Sequence, residues 1–165
     1  WHGVMIRRAA ASDFEAIWPL LRDVFRAGDT YAVDPEISKD TAYDYWMTQA
    51  AATYVAEQDG AIAGTYYIKT NQPGGGAHIC NCGYIVAPHA QGQGLAAQMC
   101  EASQAQATAL GYTAMQFNFV LASNTGALRI WKRLGFDITG TIPDAFAHPA
   151  QGLVDAHIMY KRLGT

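Results

Sequence analysis

The sequence is poor in charge and poorer in bases. Only 15% of its 165 residues are charged, Lys and Arg number 11 against 14 Asp and Glu, and the formal net charge is −3. The densest basic cluster is Arg129, Lys132 and Arg133. A phosphate-backbone binder needs a larger basic stripe, so no nucleic-acid partner is expected. Cysteine is scarce: three residues, an odd count, give no disulfide framework and suit a reducing cytoplasm. Cys80 and Cys82 lie two apart with no second pair nearby, so no metal site is expected. No apolar run reaches the length of a membrane span, and no basic, apolar and small-residue order marks a secretion signal. What is there is core-forming material. Half of the residues are hydrophobic, enough for one domain and too many for a disordered chain.

The domain is expected over 5–163. Trp1 to Val4 precede Met5 and fit no element; they are read as a non-native or disordered start. A strand at 5–9 leads to a helix beginning at Ser12, which with Glu15 has capping-box spacing. Phe14, Ile17, Leu20, Leu21, Val24 and Phe25 follow at helical spacing, and Gly28 stops the run. Loop 29–37 and a helix at 38–51 come next. Asp59-Gly60 between two strand-like runs signals a hairpin. A glycine-rich connection at 71–76 precedes a strand at 78–86, ended by Pro88. Positions 92–110 read as a long helix with Leu95, Met99, Ala102, Ala105 and Ala109 on its apolar stripe. A strand at 113–121, a helix at 124–134 ended by Gly135, a strand at 136–142, a loop at 143–152 and a strand at 153–160 complete the chain. Hairpins with one strand-helix-strand crossover predict an α+β fold: a mixed, mostly antiparallel central sheet flanked by helices.

The stretch with chemical content runs from Ile85 through Val86, Ala87, Pro88, His89, Ala90, Gln91, Gly92, Gln93, Gly94 and Leu95 to Ala96. A strand ends, a turn follows, and a helix starts inside a Gly-x-Gly-x-Ala run. The first turn of a helix carries unpaired N–H donors and a partial charge of roughly +0.5, which suit a pyrophosphate. The same glycines also serve an ordinary tight turn. The run is neither a Walker loop nor a full dinucleotide fingerprint.

These residues resemble the acetyl-CoA signature of the GCN5-related N-acetyltransferase superfamily, Arg/Gln-x-x-Gly-x-Gly/Ala, through Gln91, Gly94 and Ala96. The segment Asn124 to Phe136 is similar to the superfamily's Asn-x-x-Ala-x-x-x-Tyr-x-x-x-Gly-Phe, and Ile6-Arg7-Arg8-Ala9 with Asp13 to its opening. Phe117-Asn118-Phe119-Val120 with Asn124 is similar to the subgroup of proline-analogue N-acetyltransferases.

The resemblance implies acetyl-CoA as co-substrate and direct transfer of its acetyl group to the amine of a small molecule, an amino acid or analogue. It implies a splayed strand pair at which backbone near Ile85 and Val86 takes the pantetheine arm as an added strand. Backbone N–H groups from Gln91, Gly92, Gln93, Gly94, Leu95 and Ala96 hold the pyrophosphate. Asn124 and Trp131 touch the cofactor, with an N-cap and a core aromatic as their plainer roles. A backbone N–H near Val86 polarises the thioester carbonyl, while Asn81 and Asn118 line the acceptor side. Trp131 stands where many members have the tyrosine that protonates the thiolate, and strand 78–86 has no glutamate for a base. Two other readings stay open: acetylation of a protein N-terminus or lysine, and a CoA-binding module with little catalysis. A homodimer is expected only by analogy.

Overall fold

The computed structural model describes residues 3–164. Its strands and α-helices follow the order expected from the sequence: β1 (Val4–Arg8), α1 (Phe14–Ala27), α2 (Lys39–Tyr43), β2 (Ala52–Gln58), β3 (Ala61–Thr70), β4 (Ile79–Val86), α3 (Leu95–Ala109), β5 (Ala114–Leu121), α4 (Thr125–Arg133), β6 (Asp137–His148) and β7 (Gly152–Arg162). The strands form one sheet in the order β1-β2-β3-β4-β5-β7-β6. Tight turns join β2 to β3 and β6 to β7, so those pairs run antiparallel. The crossover through α3 makes β4–β5 the parallel pair. The fold is therefore the mixed, mostly antiparallel α+β sheet that the sequence predicts.

Strand alternation splits the core in two. Tyr54, Tyr66, Cys80 and Cys82 face Leu95 and Met99 of α3 and Trp131 of α4. Val55, Tyr67 and Ile85 face Phe14, Ile17, Leu21 and Phe25 of α1, with Trp46. Cys80, Cys82 and Tyr84 thus share one face of β4, and Asn81 points to the other, where it meets Tyr67.

Several local expectations need correction. Val4 belongs to β1 and pairs with Gln58; Trp1 and His2 lie outside the described residues. The turn into α1 is capped not by Ser12 but by Asp13, whose Oδ2 accepts from Ala10 N at 2.6 Å. Asp13 is drawn there because it also takes both Arg7 terminal nitrogens, at 2.8 and 2.9 Å. The helix expected at 38–51 is α2 followed by a π-turn, Asp44–Thr48, which places Tyr45 and Trp46 against the sheet. On α3, Ala105 and Ala109 are exposed. The buried stripe runs instead through Leu95, Met99, Ser103 and Ala107. Ser103 is buried at no loss of hydrogen bonding, since its hydroxyl donates to Cys100 O and meets Tyr84 Oη at 2.6 Å.

The expected loop at 143–152 is mostly strand. Pro143 falls in a bulge of the edge strand β6, where a missing N–H breaks no rung. There Asp144 adopts φ +48°, and its N–H goes to Asp155 Oδ1 at 2.9 Å. His148 closes the hairpin: its Nδ1 accepts from Ala150 N and Gln151 N.

Candidate active site

The parallel pair is short. Only Ile79↔Ala114 and Cys80↔Met115 are in register, after which β4 and β5 part. Asn81 sits at the fork. Its Nδ2 donates to Gln116 O across the opening at 3.0 Å, and its Oδ1 accepts from Tyr67 Oη at 3.1 Å. An asparagine in mid-strand is explained by this use: it replaces the next rung of the ladder.

Alternation shows which backbone groups of β4 the fork exposes. Asn71 N bonds Ile79 O and Ala87 N bonds Ala63 O, so odd-numbered positions from 79 to 87 turn their amides toward β3. The N–H and C=O of Cys82, Tyr84 and Val86 therefore face the gap. Tyr84 O is met there by Tyr31 Oη at 3.0 Å. This corrects the expectation for Ile85, whose amide belongs to the sheet and whose side chain is 4% exposed in the α1 core. Tyr84 takes its place at the exposed edge.

The gap opens into a cleft of about 640 Å³. It is lined by Tyr31, Tyr45 and Tyr67, by Gln91, Ala96, Asn124 and Trp131, and by Tyr84, Val86, Phe117 and Asn118. Gly83 permits this wall: a Cβ there would lie 2.6 Å from the Tyr67 ring and 3.0 Å from Tyr31 Oη. Loop 29–37 supplies Thr30, Tyr31 and Ala32 and is pinned by Arg26 Nη1, which donates to Pro35 O and Ile37 O. Burial pushes the Tyr31, Tyr45, Tyr67 and Tyr84 phenols and the Cys82 thiol upward, away from ionisation.

Beyond Val86 the chain makes the turn Pro88–Ala90 and reaches α3. Gly92 and Gly94 stand at φ +75° and +80°, which favours glycine. A Cβ at either would meet nothing within 4 Å, so both face open space. The helix of 92–110 thus begins at Leu95, with Gly94 as its N-cap. Gln98 N is the donor that returns to Gly94 O; the amides ahead of it have no carbonyl one turn earlier. Gln93 Nε2 folds back to His89 O at 3.2 Å, and the Leu95 side chain is in the core. Both therefore offer only backbone to this open face.

Of the remaining expected residues, Asn124 caps α4, its Oδ1 accepting from Ala127 N at 3.3 Å, while its Nδ2 is not engaged in that bond. Trp131 is 8% exposed and packs on Tyr84 and Phe117 with centroids 5.1 Å away; it is core aromatic and cleft wall at once. Asn118 is exposed because β5 bulges between Phe117 and Val120. Its Oδ1 accepts from Gln116 Nε2 at 2.9 Å and its Nδ2 donates to Asn71 Oδ1 at 2.7 Å. The sequence reading missed Tyr31, Tyr45, Tyr67 and Asn71. Tyr31 and Asn71 stand in expected loops, Tyr45 in an expected helix, and nothing local singles them out.

A model described as the acetyltransferase (GNAT) family matches residues 14–136. The N-acetyltransferase aca1 of Schizosaccharomyces pombe is 32% identical over 148 residues, 79% of this chain and 71% of that protein. The solved GCN5-related N-acetyltransferase from Kribbella flavida is 38% identical with a TM-score of 0.92, over 97% of this chain and 98% of that one. A GNAT-superfamily phosphinothricin acetyltransferase from Sinorhizobium meliloti, solved in complex with AcCoA, has the same fold: TM-score 0.85, 19% identity, 98% and 89% covered. With the family model spanning most of its length, this chain belongs to the GNAT acetyltransferase family.

Proposed function

We propose that the protein transfers the acetyl group of acetyl-CoA to the amine of a small molecule, an amino acid or analogue. The observation that carries the reading is the continuity of two backbone surfaces that neither the sheet ladder nor the helix uses. The β4 edge at Tyr84 and Val86 runs into the open glycine turn at the start of α3. An extended amide-bearing arm adds to the first surface as a strand does, and a diphosphate suits the second. Of the expected donors, Gln91 N already donates to Pro88 O at 3.4 Å, which leaves the amides of Gly92, Gln93, Gly94, Leu95 and Ala96. Asn124 and Trp131 also line the cleft.

The acceptor enters beside Tyr31, Tyr45 and Tyr67. Its nitrogen lone pair attacks the thioester carbon, a C–N bond forms, the C–S bond breaks, and the sulfur takes the proton that nitrogen loses. The Val86 N–H, facing the gap, polarises the carbonyl. Asn81 and Asn118 are already bonded within the protein, yet each amide keeps a second hydrogen and a second lone pair for an acceptor. Trp131 cannot serve as the acid, because an indole N–H does not ionise in the working range. A small acceptor is favoured over a peptide because Thr30, Tyr31 and Ala32 wall the cleft on a loop fixed by Arg26.

The test is release of free thiol from acetyl-CoA against amino acids, proline-like imino acids, polyamines and short peptides. Turnover confined to the amino-acid and imino-acid arms is expected. Turnover confined to peptides would overturn the substrate class, and coenzyme binding without thiol release from any amine would select a binding module.

A further inference from the structure

Tyr31 reaches the β4 edge from the face of the sheet that α1 covers. Its ring packs on Phe25 and Trp46, with centroids 5.5 and 6.2 Å away. Its hydroxyl donates to Tyr84 O at 3.0 Å. Gly83 keeps that approach open, since a Cβ there would stand 3.0 Å from Tyr31 Oη. Arg26 pins the loop that carries it, so the hydroxyl is in place before any ligand arrives. A phenol has one hydrogen and two lone pairs, and a backbone carbonyl can only accept. The Tyr31 hydrogen is therefore committed to Tyr84 O, and what the phenol offers the cleft is lone pairs. Among the described residues no donor takes them. Burial pushes the phenol upward, away from ionisation, so it keeps its hydrogen and acts as neither acid nor base. Tyr67 and Tyr84 differ, because each spends its hydroxyl within the protein: Tyr67 Oη donates to Asn81 Oδ1 and Tyr84 Oη meets Ser103 Oγ.

We propose that Tyr31 Oη accepts a hydrogen bond from the reacting amine of the acceptor and so sets the direction of its attack. The inference rests on the acetyl-transfer reading and adds to it the residue that orients the nucleophile. Tyr84 O and Val86 N–H are neighbours along one edge of β4, both turned to the gap. With the thioester oxygen on Val86 N–H, an amine held at the oxygen over Tyr84 O stands beside the thioester carbon. The N–H given to Tyr31 points away from that carbon, which leaves the nitrogen lone pair to face it. The coenzyme arm also carries N–H groups, but it comes from the other side. The turn proposed for its diphosphate leads into α3, whose Leu95 and Met99 pack on the face of the sheet opposite Phe25 and Trp46. The phenol thus meets the gap from the face away from α3, and the acceptor is the donor within its reach.

Two measurements test this with the intact chain and with Tyr31→Phe, which keeps the ring and removes the oxygen. In the first, 2-aminopentanoate with pentanoate, and proline with cyclopentanecarboxylate, are titrated calorimetrically into the chain with CoA. Within each pair the amine is the difference. The parent should prefer the amine member in at least one pair, and Tyr31→Phe should reduce that preference by about fivefold or more, the worth of one hydrogen bond. A parent without preference in both pairs, or a preference that Tyr31→Phe keeps in full, overturns the proposal. In the second, thiol release and acetyl-CoA binding are compared. For the amine that the parent acetylates fastest, kcat/KM should fall about fivefold or more in Tyr31→Phe, with the acetyl-CoA dissociation constant unchanged. An equal loss for both ligands would make the bond to Tyr84 O a brace for the loop and overturn the assignment. The calorimetry needs no turnover, so the two readings fail separately. No thiol release by the parent, with the amine preference present and lost in Tyr31→Phe, would sink acetyl transfer and keep the contact. Thiol release at equal kcat/KM in both proteins would sink the contact alone.

Discussion

Gly94 stands at φ +80° with nothing within 4 Å of a Cβ placed on it, so a substitution there changes charge and backbone strain but not packing. Asp and Asn both tolerate positive φ and have nearly the same shape. Gly94→Asn therefore measures the strain, and Gly94→Asp measures strain plus a carboxylate where the diphosphate is proposed to lie. We expect acetyl-CoA to bind Gly94→Asp at least tenfold more weakly than Gly94→Asn, about 1.4 kcal/mol or more, with the two unfolding alike; equal affinities would contradict the placement. Asn118→Ala tests the proposed contact with the acceptor. Asn118 is exposed and its partners are polar surface amides, so little stability is at stake. The acceptor KM should rise or kcat fall while the acetyl-CoA dissociation constant stays nearly unchanged; an equal loss for both ligands would make its role structural.

At the scale of the element, β4 makes a prediction that alternation alone supplies. Tyr84 and Val86 turn their amides to the gap, and Ile85 between them turns its own to β3. On saturation with acetyl-CoA the amide hydrogens of Tyr84 and Val86 should exchange more slowly, with Ile85 little changed; uniform protection of all three would place the ligand elsewhere. The junction of β1 with α1 carries a different dependence. Hydrogen bonding to Arg7 holds the Asp13 carboxyl down to about 2, against about 4 in an unfolded chain. Because the folded value is the lower one, the stabilisation is complete above about pH 4 and is lost as pH falls toward 2. Asp13→Asn should be less stable than the parent at pH 6, and the gap should close between pH 4 and 2 in denaturant titrations; a constant gap would exclude the carboxylate as its source. Such junctions also show what could be read from the sequence. Glycine and proline marked the ends of α1, β4 and α4, because those signals are local. The capping residue was misplaced because Asp13 answers to Arg7, six positions back. The hairpin β6–β7 was hidden because Asp144 absorbs a proline into a bulge. Tyr67 and Asn81 meet across 14 positions, and Asn81 and Gln116 across 35, distances at which periodicity is silent.

Across the whole molecule, the sheet consists of two parts, β1 to β4 and β5 to β7, in ladder contact only at Ile79↔Ala114 and Cys80↔Met115. Asn81, the buried aromatic contacts among Tyr84, Phe117 and Trp131, and the helices α3 and α4 hold the parts together beyond that point. A ligand strand inserted between β4 and β5 completes the sheet only in the folded protein, so binding couples to global stability. At acetyl-CoA one hundred times its dissociation constant the added stability is about 2.7 kcal/mol. For a domain of this size each kcal/mol moves the melting temperature by about 2–4 °C, so a rise of roughly 5–10 °C is expected in calorimetry. Gly94→Asp should lose most of that rise at the same concentration, because its affinity is lower. Asn118→Ala should keep it, because its side chain is proposed to meet the acceptor and not the coenzyme. A rise retained in full by Gly94→Asp, or lost in Asn118→Ala, would mean that the coenzyme does not bridge the two parts of the sheet where they separate.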